Sequence, residues 1–146
     1  MTIMIPRFEK PKRSARKRNN LEDQYQERVF QWAAENEERE PRLKFLFAVP
    51  NGGHRNIIVA AKLKRQGVKR GVPDIFLPVQ RLWLEEHPEV FCSGLWIEMK
   101  AGKNKPSHQQ MEWIDFLRKH GYRVVICWSA EEAIREIQTY LSMIPG

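Results

Sequence analysis

Apolar residues recur at helical spacing near the start of the chain and at strand spacing through its middle. Leu21, Tyr25, Val29 and Trp32 or Ala33 line one side of a helix expected over roughly 21–37. Asn20 is its expected N-cap, Glu22 and Asp23 stand in its first turn, and the acidic run to Glu40 with Pro41 ends it. Leu43–Val49 reads as a buried strand, and Pro50-Asn51-Gly52-Gly53 as a turn. Ile57 to Gln66 reads as a short helix with Gly67 just past its end. Asp74–Val79, Gly94–Lys100 and Tyr122–Trp128 are apolar enough for strands. Ser107 opens a helix to about His120, and Ser129-Ala130-Glu131-Glu132 is a capping-box pattern opening a last helix to about Leu141. Ala101–Pro106 is a basic loop, and residues 80–93 match no element. The order α-β-α-β-β-α-β-α predicts an α/β fold, with one mixed β-sheet flanked by helices.

Two strands carry charge where a buried strand should carry none. Gly71-Val72-Pro73-Asp74-Ile75 leads into one, and Trp96-Ile97-Glu98-Met99-Lys100 ends another. A carboxylate in an apolar run needs a partner or a cation. Two carboxylates on neighbouring strands can converge on one hard divalent ion. Lys100 lies two residues after Glu98 and so projects from the same strand face, while Leu95, Ile97 and Met99 point the other way. Asp, Glu and Lys around a metal ion suit phosphodiester hydrolysis. Taken singly, these pieces are common: Glu-x-Lys is usually a solvent-facing pair and Pro-Asp usually a turn.

Composition sharpens this reading. A chain of 146 residues fits one domain. Residues 1–20 hold seven basic residues against one acid, Glu9, so nearly all of the formal +7 sits in this stretch. Residues 1–19 therefore read as a basic, flexible arm suited to phosphate backbones, and 20–146 as the folded domain. The bland alternative is a solvated tail. Lys62, Lys64, Arg65, Lys69 and Arg70 precede the Pro-Asp turn, and Lys103 and Lys105 follow Lys100, so both clusters are candidate phosphate contacts. No run of about 18 apolar residues marks a membrane span, and the apolar start is too short for a secretory leader. Cys92 and Cys127 have no metal-like spacing, which argues against zinc and for a reduced cytoplasmic protein, or host-cell cytoplasm if the chain is viral.

The order Gly67-x-x-x-Gly71-Val72-Pro73-Asp74, then Trp96-Ile97-Glu98-Met99-Lys100, then Ser107-x-x-Gln110 resembles the VRR-NUC (virus-type replication-repair nuclease) domains of the PD-(D/E)XK nuclease superfamily. Glu22…Gln26 and Asn51-Gly52-Gly53-His54-Arg55 add to the resemblance, which covers about residues 21–128. It implies a restriction-endonuclease-like core and a Mg²⁺- or Mn²⁺-dependent endodeoxyribonuclease without a small-molecule cofactor. Asp74 and Glu98 would be metal ligands, helped by the Met99 carbonyl, since thioether sulfur does not suit Mg²⁺. Lys100 would position the attacking water, Glu22 would add a third carboxylate, and Gln110 would orient Lys100 or water. Each has a plainer reading: Glu22 complements a helix dipole, and Gln110 completes a capping box with Ser107. His54 and Arg55 are expected phosphate contacts, against the reading of a simple turn. The 80–93 stretch lengthens the usual hairpin and is an expected insertion.

The small size leaves little chain for reading base edges, which argues against a restriction enzyme. Stand-alone VRR-NUC domains resemble Holliday-junction resolvases in acting as homodimers. The expectation is therefore a homodimer on branched DNA, with Trp83 at the interface. The alternatives are a flap or end-processing nuclease, and an inactive nucleic-acid-binding module. The intact Asp74, Glu98 and Lys100 set counts against the second.

Overall fold

The computed structural model describes residues 13–50, 56–83 and 90–145, with side chains from Asn20 onward except that of Trp83. Four helices, α1 (Arg13–Asn36), α2 (Ile57–Arg65), α3 (His108–Lys119) and α4 (Ala130–Ser142), accompany seven short strands. Strands β1 (Phe47–Ala48), β2 (Ile75–Leu77), β5 (Leu95–Met99) and β6 (Arg123–Cys127) form a mixed sheet in the order β1-β2-β5-β6. The first three run antiparallel, and β6 runs parallel to β5 after the crossover through α3. This is the expected mixed sheet between helices.

The alternation along β5 decides the layering. Leu95, Ile97 and Met99 are buried in a cluster with Val29 and Ala33 of α1 and Ala130, Ala133 and Ile137 of α4. Trp96 faces the other way, toward Ile114 and Leu117 of α3 and Val124 of β6. Glu98 and Lys100 share the Trp96 side by the period-two rule. The charged residues thus lie on the α3 side, at the end of the central strand.

Three expectations are corrected. Asn20 does not cap the first helix, because α1 begins at Arg13; Asn20 lies inside it and accepts a hydrogen bond from Gln24 one turn on. Leu43–Val49 is not one strand: Pro41–Phe45 is a 3₁₀ turn, and only Phe47–Ala48 pairs with β2. Pro41 fits the first turn of a helix, and the Glu40 carboxylate accepts from Arg42 N–H, closing the turn. The Ser129 capping box is half made: Ser129 accepts from Glu132 N–H, but the Glu132 carboxylate accepts from Trp128 N–H instead.

Residues 80–93 contribute to a second, antiparallel sheet. Strands β3 (Arg81–Trp83) and β4 (Val90–Cys92) pair, and β7 (Ile144–Pro145) adds to β3. Tyr140 of α4 is buried and donates its hydroxyl proton to the Val79 carbonyl, tying this hairpin to the core. Among the described residues no helix is long and apolar enough to cross a membrane.

Candidate active site

Asp74 and Glu98 meet because of strand register. Ile75 pairs with Ile97 in the antiparallel β2–β5 ladder, so extending the register by one residue sets Asp74 opposite Glu98. Side chains so placed have Cβ atoms about 5 Å apart. Asp74 is held in place by the main chain of the neighbouring strand: Met99 N–H donates to its Oδ2 at 2.7 Å. The Met99 side chain is buried in the core, which leaves only its backbone to serve the site.

Glu98 is 1 % exposed. Its Oε1 accepts from Lys100 Nζ at 2.8 Å and from Gln110 Nε2 at 2.6 Å. Lys100 is itself 6 % exposed, so its ammonium is held at the site rather than in solvent. Gln110 closes the capping box, and its amide reaches Glu98 rather than the Lys100 or water expected of it. Its Oε1 accepts from Ser107 N–H, while Ser107 Oγ accepts from Gln110 N–H, closing the capping box of α3. The capping box thus fixes the side chain whose amide grips Glu98. The other carboxylate oxygen, Glu98 Oε2, is buried with no hydrogen-bond partner. An orphaned carboxylate oxygen costs roughly 1–3 kcal/mol or more unless a cation or water meets it.

Glu22 reaches the same end of the sheet from α1. Its Oε1 accepts from Ala101 N–H and from Asn104 Nδ2, each at 3.2 Å. It lies more than two turns inside α1, so it complements no helix end as the plainer reading had it; it pins the basic loop that follows β5. Asn104 is a site residue that sequence reasoning missed. An uncharged amide within the Lys103–Lys105 loop was its only signal. Trp128 Nε1 donates to the Asn104 carbonyl at 2.9 Å, fixing the loop from its other side.

The carboxyl groups are crowded. Burial pushes Glu98 up to about 7, and the charges of Asp74 and Glu22 add to the rise against the opposing Lys100. Burial likewise raises Asp74 to about 6, opposed by the Met99 N–H bond and Lys100, with Glu22 and Asp23 adding to the rise. Fully ionised, Glu22, Asp74 and Glu98 leave a deficit of two positive charges after Lys100, the charge of one divalent ion. The donors are hard oxygens and one of them is orphaned, so the residues fit Mg²⁺ or Mn²⁺. Among the described residues no three His, Cys, Asp or Glu side chains close on one point. Mg²⁺ needs no such cage, since one or two carboxylates with waters and substrate phosphates hold it. Asp74 and Glu98 are the residues that would do so.

This crowding has a measurable consequence. Both groups bind protons more tightly folded than unfolded, so the unfolded chain releases protons first as pH rises. The site's contribution to stability therefore falls between about pH 4 and pH 7. Saturating Mg²⁺ should raise the melting temperature by about 3–6 °C at pH 8. At pH 5 the shift should be much smaller, because protons then compete for the ligands. Equal shifts at the two pH values would contradict this electrostatic reading.

The proposed phosphate contacts are less concentrated. Lys64 and Arg65 lie in the exposed last turn of α2, Lys69 and Arg70 in the exposed turn before β2, and Lys103 and Lys105 are exposed on the loop that Glu22 pins. His54 and Arg55 lie outside the described residues.

Comparison with known proteins agrees with this fold. A solved structure described as a VRR_NUC domain protein superposes with a TM-score of 0.67 at 28% sequence identity, covering 86% of this chain and 91% of that one. No curated protein matches the chain by sequence. The VRR-NUC domain family matches residues 9–131. With its mixed sheet and the Asp74, Glu98 and Lys100 cluster at one end of it, the chain belongs to the VRR-NUC family of nucleases, with a PD-(D/E)XK-like fold.

Proposed function

We propose that the protein is a metal-dependent, structure-selective DNA endonuclease of the Holliday-junction-resolvase type. The observation that carries the metal-dependent part is Glu98: a buried carboxylate opposite Asp74 in the strand register, with one oxygen clamped by Lys100 and Gln110 and the other orphaned. A divalent ion, when bound, would supply charge neutralisation and activate water for attack on phosphorus. The chain's own residues supply the rest. Asp74 and Glu98 hold the ion, and the Met99 N–H keeps Asp74 turned toward the site. Lys100 places a positive charge where negative charge develops on the phosphate. Gln110 fixes the Glu98 carboxylate. Glu22 holds the Lys103–Lys105 loop where its ammonium groups can meet flanking phosphates.

A substrate panel of duplex, flap and four-way junction, each with Mg²⁺ and with Mn²⁺, tests this reading. Preferential paired cuts in the junction support it. Preferential flap cleavage would instead make the enzyme an end-processing nuclease. Tight binding without cleavage of any substrate would leave the inactive-module reading.

Paired cuts need two sites, and we propose a homodimer. The support is a set of exposed apolar side chains: Ile57, Ile58 and Val59 at the start of α2, and Phe45 and Phe47, the latter in the edge strand β1. Apolar surface of this kind is suited to burial between copies. Trp83, the interface residue suggested by sequence, has no described side chain. Sedimentation at micromolar concentration should give a dimer of the 17.3 kDa chain, and Ile58→Glu should give a monomer. A wild-type monomer that still resolves junctions would remove the paired-cut mechanism.

A further inference from the structure

Beside the candidate active site lies a second feature that the chemistry above does not use. A cavity of about 330 Å³ opens between the turn before β2 and α3, lined by Arg70, Gln109, Glu112, Trp113 and Phe116. That is the lower end of the volume range for small-ligand sites. The cavity is firmly built. Trp113 Nε1 donates to the Arg70 carbonyl at 3.0 Å, fixing the indole. Gly71 has φ +90°, and a Cβ there would stand 2.7 Å from the Gln109 carbonyl oxygen, so the turn lies directly on the helix. Phe116 stands edge-on to Trp113, with ring centroids 6.5 Å apart at 75°, and is backed by the His120 ring at 4.2 Å. Yet Phe116 is 54% exposed, an aromatic ring with one side uncovered.

The lining selects its occupant. Glu112 disfavours a phosphate inside the cavity, and Arg70 disfavours a simple cation. The two rings call for a flat apolar partner, and Gln109 and Glu112 for one with hydrogen-bonding edges. A nucleobase has both. A base stacked within a duplex has no free face to offer, so the base must be unpaired. Arg70 is then left for the neighbouring phosphate or for stacking on the base. Arg70 is four residues before Asp74, which keeps their Cα atoms within about 14 Å. At 3.4 Å per nucleotide, that is about four steps along a stacked strand.

We infer that this cavity holds one unpaired nucleobase of the bound DNA, a few nucleotides from the cleaved bond. The inference rests on the nuclease reading for its ligand, and its test does not require cleavage. Affinity is measured by fluorescence anisotropy in EDTA, with branched DNA that carries a short unpaired stretch and an abasic residue at each unpaired position in turn. Wild type should lose about tenfold in affinity at one position and little elsewhere, the usual scale for one base stacked on an aromatic side chain. Phe116→Ala should bind the intact DNA about tenfold more weakly and be indifferent to the abasic residue at that position. Phe116→Tyr, which keeps the ring, should restore both affinity and position dependence. Fully paired duplex should bind wild type and Phe116→Ala alike. A flat abasic walk with wild type overturns the inference whether or not Phe116→Ala folds, and so do losses from Phe116→Ala and the abasic residue that simply multiply. The same DNAs with Mg²⁺ report cleavage separately: position-dependent binding without cutting would leave the base site standing and remove the nuclease reading.

Discussion

Asp74→Ala and Glu98→Ala are each expected to lower metal-dependent cleavage by at least about a thousandfold, the rate equivalent of the several kcal/mol an ion supplies. DNA affinity should change little, because the exposed cations at Lys64, Arg65, Lys69, Lys103 and Lys105 stay in place. The two variants differ in their side effects. Asp74→Ala takes the acceptor from Met99 N–H at the end of a strand, a loss of roughly 1–3 kcal/mol. Glu98→Ala strands the buried Lys100 ammonium and the Gln110 amide together, so it should be the less stable protein. Glu98→Gln keeps an acceptor oxygen for both groups and is the cleaner test. Single-turnover cleavage, alongside circular dichroism to establish folding, measures the effect. Metal-dependent activity retained in both alanine variants would remove Asp74 and Glu98 from the site.

Lys100→Met is the second large effect. Single-turnover cleavage should fall at least about tenfold, and up to the hundred- to thousandfold seen when a group stabilising transition-state charge is removed. Affinity should change little, because Lys100 is 6 % exposed and its partner is Glu98 rather than solvent-facing phosphate. Methionine matches the length of the stem, so packing is largely kept. With the ammonium gone, the one opposing charge at Glu98 is lost, and its carboxyl should hold its proton to still higher pH. The pH dependence of cleavage should therefore shift upward as the rate falls. A variant that binds DNA weakly but cuts at the normal single-turnover rate would make Lys100 a simple phosphate contact.

What the sequence made legible follows from the range of the interactions. Glu98 and Lys100 were readable because period two along one strand puts them on one face, and charge stands out in an apolar run. Asp74 was readable as a second misplaced charge, although its position opposite Glu98 depends on a register that only the fold supplies. The dual duty of Gln110 was half readable: its capping box is local, and its grip on Glu98 spans twelve residues. Glu22 bonds to Ala101 and Asn104 across some eighty residues, and no local pattern encodes that contact. The second sheet escaped notice because its strands are two or three residues long and one comes from the far end of the chain. At residues 41–45 a proline and a capping carboxylate outweighed an apolar run that looked like a strand.

The proposed mechanism has Asp74 and Glu98 hold a divalent ion that drives cleavage of branched DNA. Its most direct test is single-turnover cleavage of a four-way junction by the wild-type protein in EDTA, then after titration with Mg²⁺ or Mn²⁺. Cleavage should be absent in EDTA, appear with either ion, and need less ion as pH rises from about 6 to about 8, because ions displace protons from raised carboxyl groups. Cleavage that persists in EDTA, or that appears with an ion requirement independent of pH, would contradict the account.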